Sequence, residues 1–229
     1  MNHLLDNPIY NALTGKHFSF SKGTENVRYY DEDVAPFAGL KENSVAEFDR
    51  LYQISRAGQI FVVFTPEPYP VPDKWKHITH IDMYQMVYTA AQPPAQGKAV
   101  FEDLQTAHVP EMINLVKLTE PGPFRDRTIE LSNYTGVFDG DKLVSMAGHR
   151  FHAEPYIEIS AVCTHPEHVG KGYAYALLSE QVERILAKQQ IPFLHVRQDN
   201  EAAVKLYEKL GFEIRTTMLA YVLQKIDVV

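Results

Sequence analysis

Apolar and polar residues alternate strictly along Tyr156-Ile157-Glu158-Ile159-Ser160-Ala161-Val162-Cys163. This predicts a strand with Ile157, Ile159 and Ala161 on one face and Glu158, Ser160 and Val162 on the other. A few residues later the period lengthens. Ala174, Leu177, Leu178, Val182, Ile185 and Leu186 recur at helical spacing, leaving Glu180, Glu183 and Lys188 in water. Between the two periods lies Val169-Gly170-Lys171-Gly172-Tyr173-Ala174, a glycine-spaced turn that can bring bare backbone against a ligand at a helix start. A second strand, Pro192-Phe193-Leu194-His195-Val196, leads into a helix with Asn200 as N-cap, Ala203, Leu206, Tyr207 and Leu210 on one face, and Gly211 at the C′ position.

The same pattern extends towards the amino terminus. Tyr134–Phe138 and Lys142–Ala147 flank Asp139-Gly140 and predict a hairpin. Val109, Met112, Ile113 and Val116 predict a helix with Pro110 in its first turn, followed by the breaker-rich Thr119–Arg125 loop. Ser44-Val45-Ala46-Glu47 is a capping box opening a helix that Gly58 closes, and Gln59–Thr65 and Ile78–Tyr88 read as strands. The prolines within Gln92-Pro93-Pro94-Ala95-Gln96-Gly97-Lys98 interrupt both periods. The expected division is an α+β region at 1–92, a linker at 93–98 and a second domain at 99–229. The first region is either a substrate-side scaffold or a worn copy of the second.

Charge narrows the partners. Lys plus Arg number 22 and Asp plus Glu 29, a formal charge of −7, which disfavours nucleic acid and favours a cationic acceptor. The single Cys163 excludes an internal disulfide and suits a reducing cytoplasm. No apolar run reaches the roughly 18 residues of a membrane span, and Met1–Asp6 lacks the regions of a secretory signal, so a cytoplasmic protein without a membrane partner is expected.

The turn at Val169–Ala174, together with Pro192–Val196 and Asn200–Phe212, resembles the GNAT superfamily of acyl-CoA-dependent N-acetyltransferases, in the group whose carboxy-terminal half carries "PFLHV…DNEAA..LYEKLGF". The resemblance covers about Tyr134 to Leu223. It implies an α/β (α+β) fold whose mixed, mostly antiparallel central sheet is flanked by helices and preceded by a smaller α+β region. It also implies acetyl transfer from acetyl-CoA to a primary amine by direct attack in a ternary complex, the acceptor being a small amine, an amino acid or a protein amino group. In that family the amides of the turn bind pyrophosphate, here Val169, Gly170, Lys171, Gly172, Tyr173 and Ala174. The strand before it serves the pantetheine arm, here Val162, Cys163 and Thr164. Asn200 and Tyr207 match the coenzyme-contacting Asn and the tyrosine near the thioester sulfur. Val169 stands where the family usually carries Gln or Arg, and this departure leaves a non-catalytic acyl-CoA binding or sensing module as the alternative. An interaction scaffold built on residues 1–92 is a third reading.

Acyl transfer to an amine needs a proton acceptor, because an ammonium is not nucleophilic, and a proton donor for the departing thiolate. Glu158 is the candidate base, against a reading in which it only binds the ammonium or pairs with Arg150. Tyr207 is the candidate acid, against a core tyrosine. No metal is expected: strand alternation sets His149 and His152 on opposite faces, and His77 and His80 read as structural. The expected partner is a small-molecule or peptide amine, and the expected state is a monomer or a homodimer, the latter through an exposed last strand at Met218–Leu223.

Overall fold

The computed structural model describes residues 3–226. Eleven strands are present among these residues: β1 (Ser21–Gly23), β2 (Val27–Tyr30), β3 (Ala38–Leu40), β4 (Ile60–Thr65), β5 (Trp75–Tyr88), β6 (Glu102–Asp103), β7 (Thr135–Asp139), β8 (Lys142–Ala153), β9 (Tyr156–Thr164), β10 (Ile191–Arg197) and β11 (Phe212–Lys225). The α-helices are α1 (Pro8–Thr14), α2 (Val45–Ile54), α3 (Val109–Thr119), α4 (Tyr173–Leu186) and α5 (Glu201–Leu210). Eight strands form one sheet in the order β4-β11-β5-β10-β9-β8-β7-β6, antiparallel except for β9 and β10, and β1, β2 and β3 form a small second sheet. The mixed, mostly antiparallel sheet flanked by helices is the expected fold class.

Local chemistry sets the helix ends as read. Ser44 and Glu47 close a reciprocal capping box on α2, and the Asn200 side chain accepts from the Ala203 N–H on α5. Helix α2 stops at Ile54, short of Gly58, with Ser55 as its cap.

Long-range pairing is where alternation falls silent. β5 lies between β10 and β11, pairing with β11 along the length of both strands, so the sheet runs across the 93–98 segment. That segment is tied down: a Cβ at Gly97 would meet Ala176 of α4 at 2.5 Å, and Gln96 bonds Glu183. β11 is flanked by β4 and β5, so Met218–Leu223 is no free edge, and the basis for pairing across subunits falls away.

Helices cover both faces of the large sheet. Leu178, Val182 and Ile185 of α4 and Tyr207 and Leu210 of α5 pack on Ile157, Ile159, Leu194 and Val196. Ile9, Ala12 and Leu13 of α1 pack with Phe151, Phe193 and Met218, and Met112 and Leu115 of α3 pack with Met146 and Cys163.

Candidate functional site: a forked strand pair and its glycine loop

β9 and β10 pair for only three residues, Tyr156–Glu158 against Ile191–Phe193. Beyond them β10 continues beside β5 alone and β9 beside β8 alone, which opens a fork in the sheet. A bulge drives the separation. Ala161 takes φ +54°, and the β8 register slips between Met146 opposite Cys163 and Gly148 opposite Ser160. From Ile159 onward the β10-facing edge of β9 has no ladder, and backbone groups there are available to an extended ligand. Ser145 holds the far end, its hydroxyl donating to the Cys163 carbonyl at 2.9 Å and lying 2.8 Å from the Thr164 hydroxyl.

The glycine loop continues from this strand. Gly170 and Gly172 have φ of +84° and +80°, and a Cβ built on either meets nothing within 4 Å. The N–H groups of Gly170, Lys171, Gly172, Tyr173 and Ala174 donate to no acceptor among the described residues, and no side chain caps α4. Five unpaired donors around a helix N-terminus are a site for an anion. Val169 points its side chain outward, 70% exposed. Asn200 is exposed, with its carbonyl oxygen spent on the α5 cap.

Val162 is half-buried and packs against the same apolar cluster as Tyr207 and Tyr175. The Tyr207 ring is 8% exposed, and its hydroxyl has no partner among the described residues yet is not sealed from solvent. Burial pushes its pKa up to about 12, so the phenol keeps its proton at neutral pH. Cys163 faces away, under α3, and burial raises its thiol to about 11, a neutral side chain and no nucleophile.

Glu158 sits at the crotch of the fork. It is fully buried, and Arg150 grips it with Nε at 2.7 Å and Nη2 at 2.6 Å while His195 Nδ1 lies 2.6 Å from Oε1. Burial alone would raise its pKa, but Arg150 and His195 overcome this and hold it at about 2. A carboxylate so occupied is a weak base and out of an acceptor's reach. The pairing with Arg150, left open by the sequence, is the arrangement found.

Gln85, His195, Arg215 and Asp6 extend this network, and periodicity gave no warning of them. The Gln85 amide donates to the Leu5 carbonyl at 2.8 Å and to His195 Nε2 at 2.9 Å, and its oxygen accepts from Arg215, which also reaches Asp6 Oδ1 at 2.6 Å. An amide donor on Nε2 requires a lone pair there, so His195 is neutral with its proton on Nδ1. Burial lowers its pKa in the same sense. The available sequence signal was a histidine inside an apolar strand.

A second bulge, in β8, explains how Arg150 meets Glu158. His149 lies opposite Ile159 and His152 opposite Ile157, so Arg150 and Phe151 together oppose Glu158. The extra residue cancels the alternation, and the His149 and His152 rings touch with centroids 5.7 Å apart, where strict alternation had set them on opposite faces. His77 and His80 are exposed and stack on one another at 5.5 Å.

A family model described as FR47-like protein matches residues 134–220. The crystal structure of a GNAT-family protein from Novosphingobium aromaticivorans aligns with 99% of this chain and 100% of its own, at 30% identity and a TM-score of 0.91. The chain belongs to the GNAT family. Among curated relatives, an acetyltransferase of Yersinia pestis is 32% identical over 91 residues, 39% of this chain and 60% of that protein. The N-alpha-acetyltransferase RimI of Mycobacterium tuberculosis is 33% identical over 85 residues, 36% of this chain and 52% of that protein. The match thus spans about 60% or less of the length of these two relatives.

Proposed function

We propose that this GNAT chain transfers an acetyl group from acetyl-CoA to a primary amine, by direct attack within a ternary complex. The observation that carries the reading is the run of unpaired amides from Gly170 to Ala174 with open space at both glycines, next to a strand edge stripped of its partner. These residues fit a diphosphate followed by an extended arm: the loop amides take the anion, and Val162, Cys163 and Thr164 offer backbone groups along the arm. Bound there, acetyl-CoA supplies the acyl thioester. Val169 adds no polar contact, so the backbone supplies the grip in this part of the loop.

Tyr207 holds a proton at neutral pH, packs in the cluster that Val162 also joins, and delivers that proton to the departing thiolate, while the attacking amine releases its own proton to solvent. Glu158 is a positioning residue: with Arg150 and His195 it fixes the strands at the point where they diverge. The acceptor is a primary amine received by a chain of net charge −7.

Calorimetry with acetyl-CoA combined with a thiol-release assay over a panel of small amines, amino acids and peptide amino termini tests this. One-to-one binding with amine-dependent release of free thiol is expected. Binding without release for any amine would identify a binding or sensing module, and no binding would end the reading altogether.

A further inference from the structure

Just before the glycine loop, the single helical turn Pro166–His168 gathers His165, Glu167 and His168, whose potential ligand atoms all lie within 4.8 Å of one another. His165 caps this turn, with its Nδ1 3.3 Å from the Glu167 N–H and 3.8 Å from the Glu167 carboxylate. His168 is buried to 7% exposure with its ring stacked on Tyr173, so its direction is fixed before any ligand arrives. A second element adds Asp139 at the end of β7, 3.7 Å from His168 Nε2. Both imidazoles already face cations. Lys142 Nζ lies 3.1 Å from His165 Nε2, and Lys171 Nζ lies 3.0 Å from His168 Nδ1. An ammonium only donates, so the His168 contact marks a lone pair on Nδ1 and leaves the ring proton on Nε2, facing Asp139; His165 has one lone pair, and the Glu167 N–H at Nδ1 and Lys142 at Nε2 are alternatives for it.

We propose that His165, Glu167 and His168 bind a divalent transition-metal ion of the zinc type, with Asp139 facing the other ring nitrogen of His168 and orienting it, and the flexible Lys142 and Lys171 moving aside as the ion enters. Two imidazoles and a carboxylate form a borderline set that suits zinc, cobalt or nickel better than magnesium or calcium, which prefer all-oxygen shells. A cavity of about 550 Å³ between α3 and the β7–β8 hairpin reaches His165, Asp139 and Lys142, and the Glu167 carboxylate is open to solvent. The ion clamps the turn that leads directly into Gly170–Ala174, and its binding stands independently of acetyl transfer.

The test is titration of the untagged protein with Zn²⁺ by calorimetry and with Co²⁺ by visible absorption. Saturable one-to-one uptake is expected, with cobalt bands of a nitrogen-and-oxygen site. Glu167 is exposed and Asn can replace His165 as the cap of the turn, so His165→Asn and Glu167→Gln should each weaken binding at least tenfold with circular dichroism confirming the fold. His77→Gln/His80→Gln, at the exposed stacked pair, should leave uptake unchanged. Absence of saturable binding, uptake insensitive to His165→Asn and Glu167→Gln, or uptake abolished by the His77/His80 pair would each overturn the site.

Discussion

The two halves of β9 are built on opposite principles. From Tyr156 to Glu158 the strand is paired on both sides, and the Glu158 carboxylate is satisfied by Arg150 and His195. From Ile159 into the glycine loop the strand loses one neighbour, and the amides of Gly170–Ala174 find no acceptor among the described residues. A buried polar group without a partner costs about 1–3 kcal/mol, so the closed half stands only because its network is complete. The open half leaves donors unpaired because solvent or a ligand can satisfy them. Paired groups at the crotch and unpaired donors at the tips together make the fork.

The comparison breaks most directly at Glu158. Glu158→Ala strands the Arg150 guanidinium, only 13% exposed, and leaves the His195 Nδ1–H unpaired. Removing one partner of a buried pair costs about 3–5 kcal/mol. Urea denaturation should register that loss, and a change below about 1 kcal/mol would mean that the crotch does not depend on the ion pair.

Acid probes the buried imidazoles beside the crotch. Burial, the first cause for each, lowers His17 and His149 to about 3 and His152 to about 4, with neighbouring His152 and Lys188 adding for His149. By geometry neither nitrogen of His149 has a hydrogen-bond partner among the described residues, and the nearby Gln181 side chain offsets burial only in part. The folded state keeps these rings neutral while the unfolded chain protonates them near ~6.5, so stability is full above that pH and falls as pH drops towards 3. The slope reaches about 1.4 kcal/mol per pH unit for each ring. Thermal melts from pH 7.5 to 4 should show this decline, and His149→Phe should flatten it; an unchanged slope would refute the assignment to His149.

At the open half the cost to the fold should be smaller and the cost to binding larger. Gly172→Ala forces a side chain to φ +80°, about 1–2 kcal/mol of strain, although nothing lies within 4 Å of the added Cβ. Acetyl-CoA affinity should fall at least tenfold by calorimetry. If affinity holds while stability drops, the loop amides are not the anion site.

Much of this half was legible in the sequence, because its signals are local: two glycines, a change of period from 2 to 3.6, and an N-cap at Asn200. The closed half was less so. The Arg150–Phe151 bulge adds one residue that alternation cannot reveal, and it sent His149 and His152 to the wrong faces. Gln85 reaches His195 only because β5 inserts beside β10, a pairing across 110 positions that leaves no periodic trace. The sealed surroundings of Glu158 were hidden for the same reason, since they are assembled from β8, β9, β10 and the residues that pack over them.

The smallest structural perturbation is the sharpest test of the open half. Tyr207→Phe deletes a hydroxyl that bonds to no described residue while leaving the ring in its cluster with Val162 and Phe212, so the fold should change by less than about 0.5 kcal/mol. Coenzyme affinity should also hold, because the loop amides are untouched. Only the rate of thiol release should fall, by about 10²–10⁴, the usual worth of a positioned proton donor. A structural tyrosine predicts the reverse, with stability reduced and turnover per folded molecule unchanged. Measured together, the melt, the calorimetric affinity and the rate decide between the two, since the acid role moves only the third.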